Sequence, residues 1–357
     1  GTYLDQVVDA FHVTDADGRK VVHPARLARM KRALLLLALW SVLALHYRAP
    51  YPLAFATVFG LLVLTGIVLL WRAVPPVSAA LPALGLLAVS FGALFVWWST
   101  IEPRADRVWA APLARSPSVS LDGDRYTIAN VRNFRWHAGT GPDGGEAIAE
   151  ERWETRTYDL SKAAGVDLFF SYWTGPLIAH LLVSVTFDDA PPLTFSIEIR
   201  REKDEVYSAL AGFFRSYELA IVAADERDIV HLRTNVWRED VRLYRMNVSR
   251  DSTRKLLVAY AAEINALAQT PRWYDTLGAN CTTVAFRLAR QLWPGLKPDW
   301  RILAAGRAPD YAYDIGAVST DMPLEELKRR AAISAVAQGL QPDDAFSAAI
   351  RASVPAP

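Results

Sequence analysis

Apolar and polar positions divide the chain into two parts with different rules. Before Pro103, long apolar runs carry almost no charge; after it, charged residues return and alternate with aromatic and aliphatic ones. Tyr51 to Trp71 is uncharged throughout, and at about 1.5 Å per residue a helix of about 21 residues just crosses a hydrocarbon core of about 30 Å. Val77 to Trp98 is a second run of similar length, whose Gly and Pro residues are tolerated in lipid. Ala33 to Tyr47 is shorter, but Arg26, Arg29, Lys31 and Arg32 precede it like a cytoplasmic anchor. It is therefore read as a third span, with Trp71, Trp97 and Trp98 at interfacial positions.

The positive-inside rule puts residues 1–32 in the cytoplasm, and three transmembrane helices over 33–100 deliver the rest to the opposite face. In a bacterial inner membrane that face is the periplasm. The side depends on parity, since two crossings would return the chain to the cytoplasm. Residues 1–32 lack the apolar core and small-residue site of a cleaved signal peptide, so the protein is read as integral and multi-pass. Residues 101–123 contain a Pro- and Ser-bearing stretch expected to be a linker, and 124–357 form the globular part.

In that part, Arg125 to Arg135, Trp153 to Leu160, Val166 to Trp173, His180 to Phe187, Leu193 to Arg200, Glu218 to Ala224 and Val241 to Val248 are rich in aromatic and β-branched residues and predict strands. Helical periodicity predicts helices over Asp204 to Ser216, Asp251 to Gln269, Cys281 to Trp293, Pro323 to Gly339 and Asp343 to Ala352. The fold class is α+β with a mainly antiparallel sheet, behind N-terminal membrane helices.

Charge and composition then exclude some functions. With 39 basic and 38 acidic residues, scattered, the chain lacks the basic stripe that nucleic acid requires. No group of His, Cys and carboxylates has zinc spacing, so neither metal nor cofactor is expected. Gly139 to Gly145 lacks the ending of a phosphate loop and reads as a turn. Ala224 to Asp228 reads as a solvated salt-bridge cluster.

The lone cysteine, Cys281, sits where turn residues pass into an amphipathic helix. A helix N-terminus favours the thiolate, and its free N–H groups are suited to an oxyanion. The competing reading is a small buried residue filling space. A thiol nucleophile needs a base. His12, His23 and His46 fall before or within the membrane part, leaving His137, His180 and His231. His180 opens a strand that a short turn, Asp188 to Pro192, joins to Leu193–Arg200. Alternation makes one face of this hairpin core and the other wet, and puts His180, Ser184, Ser196 and Glu198 together on the wet face. Antiparallel register brings Glu198 near His180, in reach to orient its ring.

The stretch from about Tyr126 to Val318 resembles the Lnb N-terminal periplasmic domain family, named for a bacterial lipoprotein N-acyltransferase. The matching segments are Asn130–Phe134, Arg156–Leu160, Gly175–His180, Ser196–Arg200, Phe214–Glu218, Ala224–Asp228, and Trp273–Tyr274 through Asn280–Thr283. Two departures are Leu181, where the family often has Thr, and a membrane part that precedes the domain. The resemblance implies a circularly permuted papain-like thiol fold, with the histidine strand before the cysteine helix, as in lecithin retinol acyltransferase. It implies His180 as base, Cys281 as nucleophile and Glu198 or Ser196 as third polar group, with Asn280, Thr282 and Tyr274 as candidate substrate or oxyanion contacts. The implied activity is thiol-dependent acyl transfer or hydrolysis on a membrane lipid or lipoprotein. A cell-wall amidase or peptidase and a non-catalytic envelope scaffold remain as alternatives.

Overall fold

The computed structural model describes residues 24–72, 81–137 and 148–356. Residues 1–23 of the expected cytoplasmic segment, Val77–Ala80 of the second run and the Gly139–Gly145 turn lie outside them. The chain divides into two compact units, Gly1–Glu102 and Pro103–Pro357.

Among its described residues the first unit holds three helices, α1 (Pro24–Arg48), α2 (Pro52–Arg72) and α3 (Leu81–Ser99). Among the described residues, two stretches are long and apolar enough to cross a membrane: Pro52–Leu69 and Leu81–Ser99, of mean hydropathy 2.3 and 1.9. Few of their side chains are buried, and Leu53, Val89 and Phe95 face outward. A soluble core helix would hide such residues. The shorter run lies inside α1, which starts ahead of it at Pro24 and takes in the basic cluster. The helices pack through Leu45, Phe59, Val63, Leu87 and Leu94. A Cβ on Gly66 would lie 2.7 Å from Leu87 Cγ, so only glycine permits this approach.

The second unit is built on a sheet of β1 (Ser118–Asp122), β2 (Arg125–Arg132), β5 (Trp153–Asp159), β6 (Ala163–Thr174), β7 (Ile178–Phe187), β8 (Leu193–Arg200), β9 (Glu218–Asp225) and β10 (Asp240–Arg245). Its order is β1-β2-β9-β8-β7-β6-β10, with β5 also on β2. Every pairing is antiparallel except a single parallel contact, Arg132 with Ala224, between β2 and β9. Two short strands, β3 (Arg135–Trp136) and β4 (Ile148–Glu150), pair separately. One core cluster joins Val183, Val185, Phe195 and Ile197 of the sheet to Leu257 and Tyr260 of α5 (Arg250–Gln269) and Val284 of α6 (Cys281–Leu292). A second joins Phe169, Leu182 and Val222 to Ile229 of α4 (Glu226–His231) and to Ile333, Phe346 and Ile350 near the C-terminus. Three further helices are α7 (Ala308–Asp314), α8 (Leu324–Ala331) and α9 (Ser334–Ala337), and a last turn, α10, spans Phe346–Ala349.

Several expectations are corrected. The face of the β7–β8 hairpin expected to be wet is covered: Ser184, Thr194 and Ser196 are fully buried. Their hydroxyls stay satisfied because Ser184 donates to Glu226 at 2.5 Å and Thr194 to Ser184 at 3.1 Å. Most of the expected linker is folded, since Ser118–Asp122 is strand β1 and Trp109 is buried. Asp204 to Ser216 is not a helix beyond one turn at Ala211–Phe213. There the Tyr217 hydroxyl accepts from the Ser208 N–H at 2.8 Å and donates to Val206 O at 3.1 Å, diverting groups that a helix would use. Pro323 to Gly339 breaks after α8, because Ala332 bridges to Arg242 and the Ile333 N–H donates to Val241 O at 2.9 Å, which draws the chain onto the edge of β10. Asp343 to Ala352 keeps only α10 as helix, and beyond it Arg351 turns inward to Glu226 and Asp167.

Candidate active site

The site starts from the register of one hairpin. The pairs Leu182 with Ser196 and Val183 with Phe195 fix β7 against β8, and continuing that register sets His180 opposite Glu198. His180 Nε2 lies 2.7 Å from Ser196 Oγ and 3.1 Å from Glu198 Oε1. Ser196 donates its one hydroxyl proton to Glu198 at 2.5 Å. Its oxygen must therefore accept from His180, which places a proton on Nε2.

Cys281 begins α6. The helix is capped by Asn280, whose side-chain oxygen accepts from the N–H groups of Thr282 at 3.0 Å and Thr283 at 2.9 Å, while Thr283 Oγ1 accepts from the Asn280 N–H at 2.9 Å. This reciprocal cap holds the first turn still. The thiol lies close enough to His180 and to the backbone N–H of Leu181 for both to shift its pKa. Since Nε2 is engaged by Ser196 and Glu198, Nδ1 is the nitrogen left for sulfur. His180 and Cys281 are 8 % and 7 % exposed.

Burial opposes charge on both partners, yet their neighbours outweigh it. For His180, burial and the Arg233 guanidinium work against the imidazolium, but Glu198 and the Cys281 sulfur hold its pKa up at about 9. Burial likewise pushes the Cys281 thiol up, and His180 with the Leu181 N–H more than reverse this, leaving it below the ordinary thiol range. Glu198, against its own burial, is held well below the usual carboxylate range by His180, Arg233 and Ser196. These directions favour a charged imidazole and carboxylate and make the thiol easier to ionise than an isolated buried one.

Sequence reasoning missed Arg233, Glu239, Ser171 and Tyr207. Arg233 Nη2 reaches Glu198 at 3.3 Å and its Nη1 reaches Glu239 at 3.2 Å. It rides on a π-helical turn, Leu232–Val236, a widened geometry often found at functional sites. Ser171, cross-strand from His180, donates to Glu239. Strand register would have found Ser171; nothing local marks Arg233. Tyr207 and Tyr274 lie near enough to sulfur that burial first, then the negative charges of Cys281 and Glu198, raise their phenol pKa values.

Asn280 Oδ1 accepts the cap bonds and its Nδ2 donates one proton to Thr276 O at 2.6 Å, whereas Thr282 Oγ1 gives its one proton to Ile302 O at 2.6 Å. The other candidate bases are elsewhere: His231 lies on α4 against Phe346, and His137 is exposed. The Ala224–Asp228 cluster is buried, not solvated. Asp228 accepts from Arg132 at 2.8 Å, from the Phe134 N–H at 2.9 Å and from Trp136 Nε1 at 2.9 Å. No group of three or more His, Cys, Asp or Glu suited to a metal occurs among the described residues.

Residues 149–306 match the family model of the Lnb N-terminal periplasmic domain. This segment belongs to that family. The matched Lnb segment contains β7, β8, Arg233, Tyr274 and Cys281, whereas Asn130–Phe134 and Val318 lie outside it. No match was found among curated proteins or among solved structures.

Proposed function

We propose that this protein is a membrane-anchored thiol acyltransferase or hydrolase, with a permuted papain-like domain acting at the periplasmic face on lipid or lipoprotein acyl groups. The observation that carries the reading is a His180 ring held by Ser196 and Glu198 and close enough to Cys281 at the start of α6 for each to shift the other's pKa. Ring orientation by a buried polar chain is what general-base catalysis needs.

In the proposed reaction the Cys281 thiolate attacks an ester carbonyl carbon, forming a C–S bond. Two donors suit the resulting oxyanion: the Cys281 N–H at the helix start and the Tyr274 hydroxyl, whose raised pKa keeps it protonated. Collapse breaks the C–O bond, and His180 gives its proton to the departing alkoxide. An amine or water then attacks the thioester; His180, now neutral, takes the proton from that nucleophile and the thiolate leaves. A site anchored to the membrane meets a two-dimensional substrate at high effective concentration.

Two helices long and apolar enough to cross a membrane support the anchor, and the basic residues ahead of the first run favour a cytoplasmic N-terminus. The chemical test is turnover of a fluorescent diacyl lipid or diacylated lipopeptide by the full chain in detergent. Cys281→Ser is expected to abolish turnover while leaving the melting temperature nearly unchanged, because the substitution is close to isosteric. Retained turnover would exclude the thioester route.

A further inference from the structure

We propose that the mouth of the thiol site is a membrane-contacting collar whose apolar side chains enter the acyl region of the bilayer. Four segments converge on the first turn of α6. At the tip of the β6–β7 hairpin, Leu177 O accepts from the Gly306 N–H at 3.0 Å, and a Cβ on Gly306 would lie only 2.4 Å from Pro176 O. Segment Trp300–Ile302 is tied to the turn by Thr282 Oγ1 on Ile302 O at 2.6 Å. Loop 203–216 meets it where the Thr276 N–H donates to Gly212 O at 3.4 Å. The turn Asp275–Ala279 leads directly into Asn280 and Cys281.

Each segment turns large apolar side chains outward. Val206 is 82 % exposed and Trp300 63 %, and Leu177, Leu210, Leu277 and Leu303 are all about half exposed. Scattered apolar residues on a surface need no explanation, but six of them on segments bonded to one another and to the start of the cysteine helix do.

Lipid is the occupant that the path of the chain favours. The Arg104 N–H donates to Glu218 Oε1 at 3.0 Å and the Lys203 N–H to Val108 O at 2.9 Å. Residues 104–108 therefore run past the end of β8 and the start of β9, the same end of the sheet that carries loop 203–216. Immediately ahead, Thr100–Glu102 joins this segment to α3, a link that reaches about 14 Å at most. The short link keeps the collar end of the sheet within tether reach of whatever surface the apolar helix occupies. Tryptophan and leucine are suited to a membrane interface. The proposal rests on α3 being a membrane span and not on the thiol chemistry.

Spin labels on single cysteines test it, introduced into the full chain carrying Cys281→Ser and reconstituted in phosphatidylcholine vesicles. Labels at Val206→Cys, Leu277→Cys and Leu303→Cys sample the collar, Leu121→Cys on β1 is the aqueous control, and Val58→Cys on α2 reports the anchor. Collision with oxygen and with a water-soluble nickel chelate is compared at each position. The expected result is an oxygen-to-nickel ratio several-fold higher at the collar than at Leu121, approaching that at Val58, and unchanged by 0.5 M salt (about a 4–5 Å screening length). Collar labels as open to nickel as Leu121, with Val58 still in lipid, would overturn the collar alone. A water-exposed Val58 would overturn the anchor and the collar together. Collar labels shielded from both reagents would assign the surface to a protein partner and overturn it equally.

Discussion

At the scale of single residues, the site is a line of charge and protons: Arg233, Glu198, Ser196, His180, Cys281. Each member fixes the next. Arg233 keeps Glu198 ionised, Glu198 takes the Ser196 proton, and Ser196 accepts from His180, so the ring offers its other nitrogen to sulfur. The imidazolium that results makes stability depend on pH in a definite direction. A histidine raised from 6.5 to about 9 contributes stability that is complete below pH 6.5 and lost as pH rises through about 9. Glu198→Gln removes the chief source of that rise. The expected difference in unfolding free energy between wild type and Glu198→Gln is widest near pH 6, on the order of 3 kcal/mol as an upper value, and narrows by pH 10. A gap constant across that range would show that Glu198 stabilises the fold by some route other than pairing with the imidazolium.

At the scale of elements, what was legible followed the alternation of short strands. Leu193–Arg200 occurs where its pattern put it, and the turn at Asp188–Pro192 fixed the register that pairs His180 with Glu198. The start of α6 at Cys281 was likewise legible, because Asn280 and Thr283 are cap residues by type. The polar face of the hairpin misled, since its cover comes from α4 and from residues near 346–354, far along the chain. Arg233 was hidden for a related reason: its aim depends on a π-helical turn that has no spacing signature. Helix α1 is the element on which topology turns, because its apolar run is short and its basic residues fall inside the helix itself. With Cys281→Ser and Leu121→Cys as the sole thiol, a small anionic methanethiosulfonate added to intact spheroplasts is expected to label the protein. Labelling only after lysis would mean that α1 does not cross and that the folded unit faces the cytoplasm.

At the scale of the whole molecule, the change in composition at Pro103 coincides with the division into two units, Gly1–Glu102 and Pro103–Pro357. The unit boundary was legible because lipid and water select different residues. The linker expected at 101–123 was not one, because Pro- and Ser-rich sequence also suits an edge strand and the tight segment before it, and β1 is laid against β2. The Lnb match covers residues 149–306 of the folded unit, and two helices ahead of that unit are long and apolar enough to cross a membrane. Both give meaning to one buried sulfur. The most direct measurement is the rate of iodoacetamide alkylation of Cys281 in the full chain from pH 5 to 10, for wild type and His180→Ala. The expected wild-type rate is already high at neutral pH and flat toward pH 8, while His180→Ala is slow there and gains rate only toward alkaline pH, as an isolated buried thiol does. Superimposable profiles for the two proteins would contradict the thiolate–imidazolium pair.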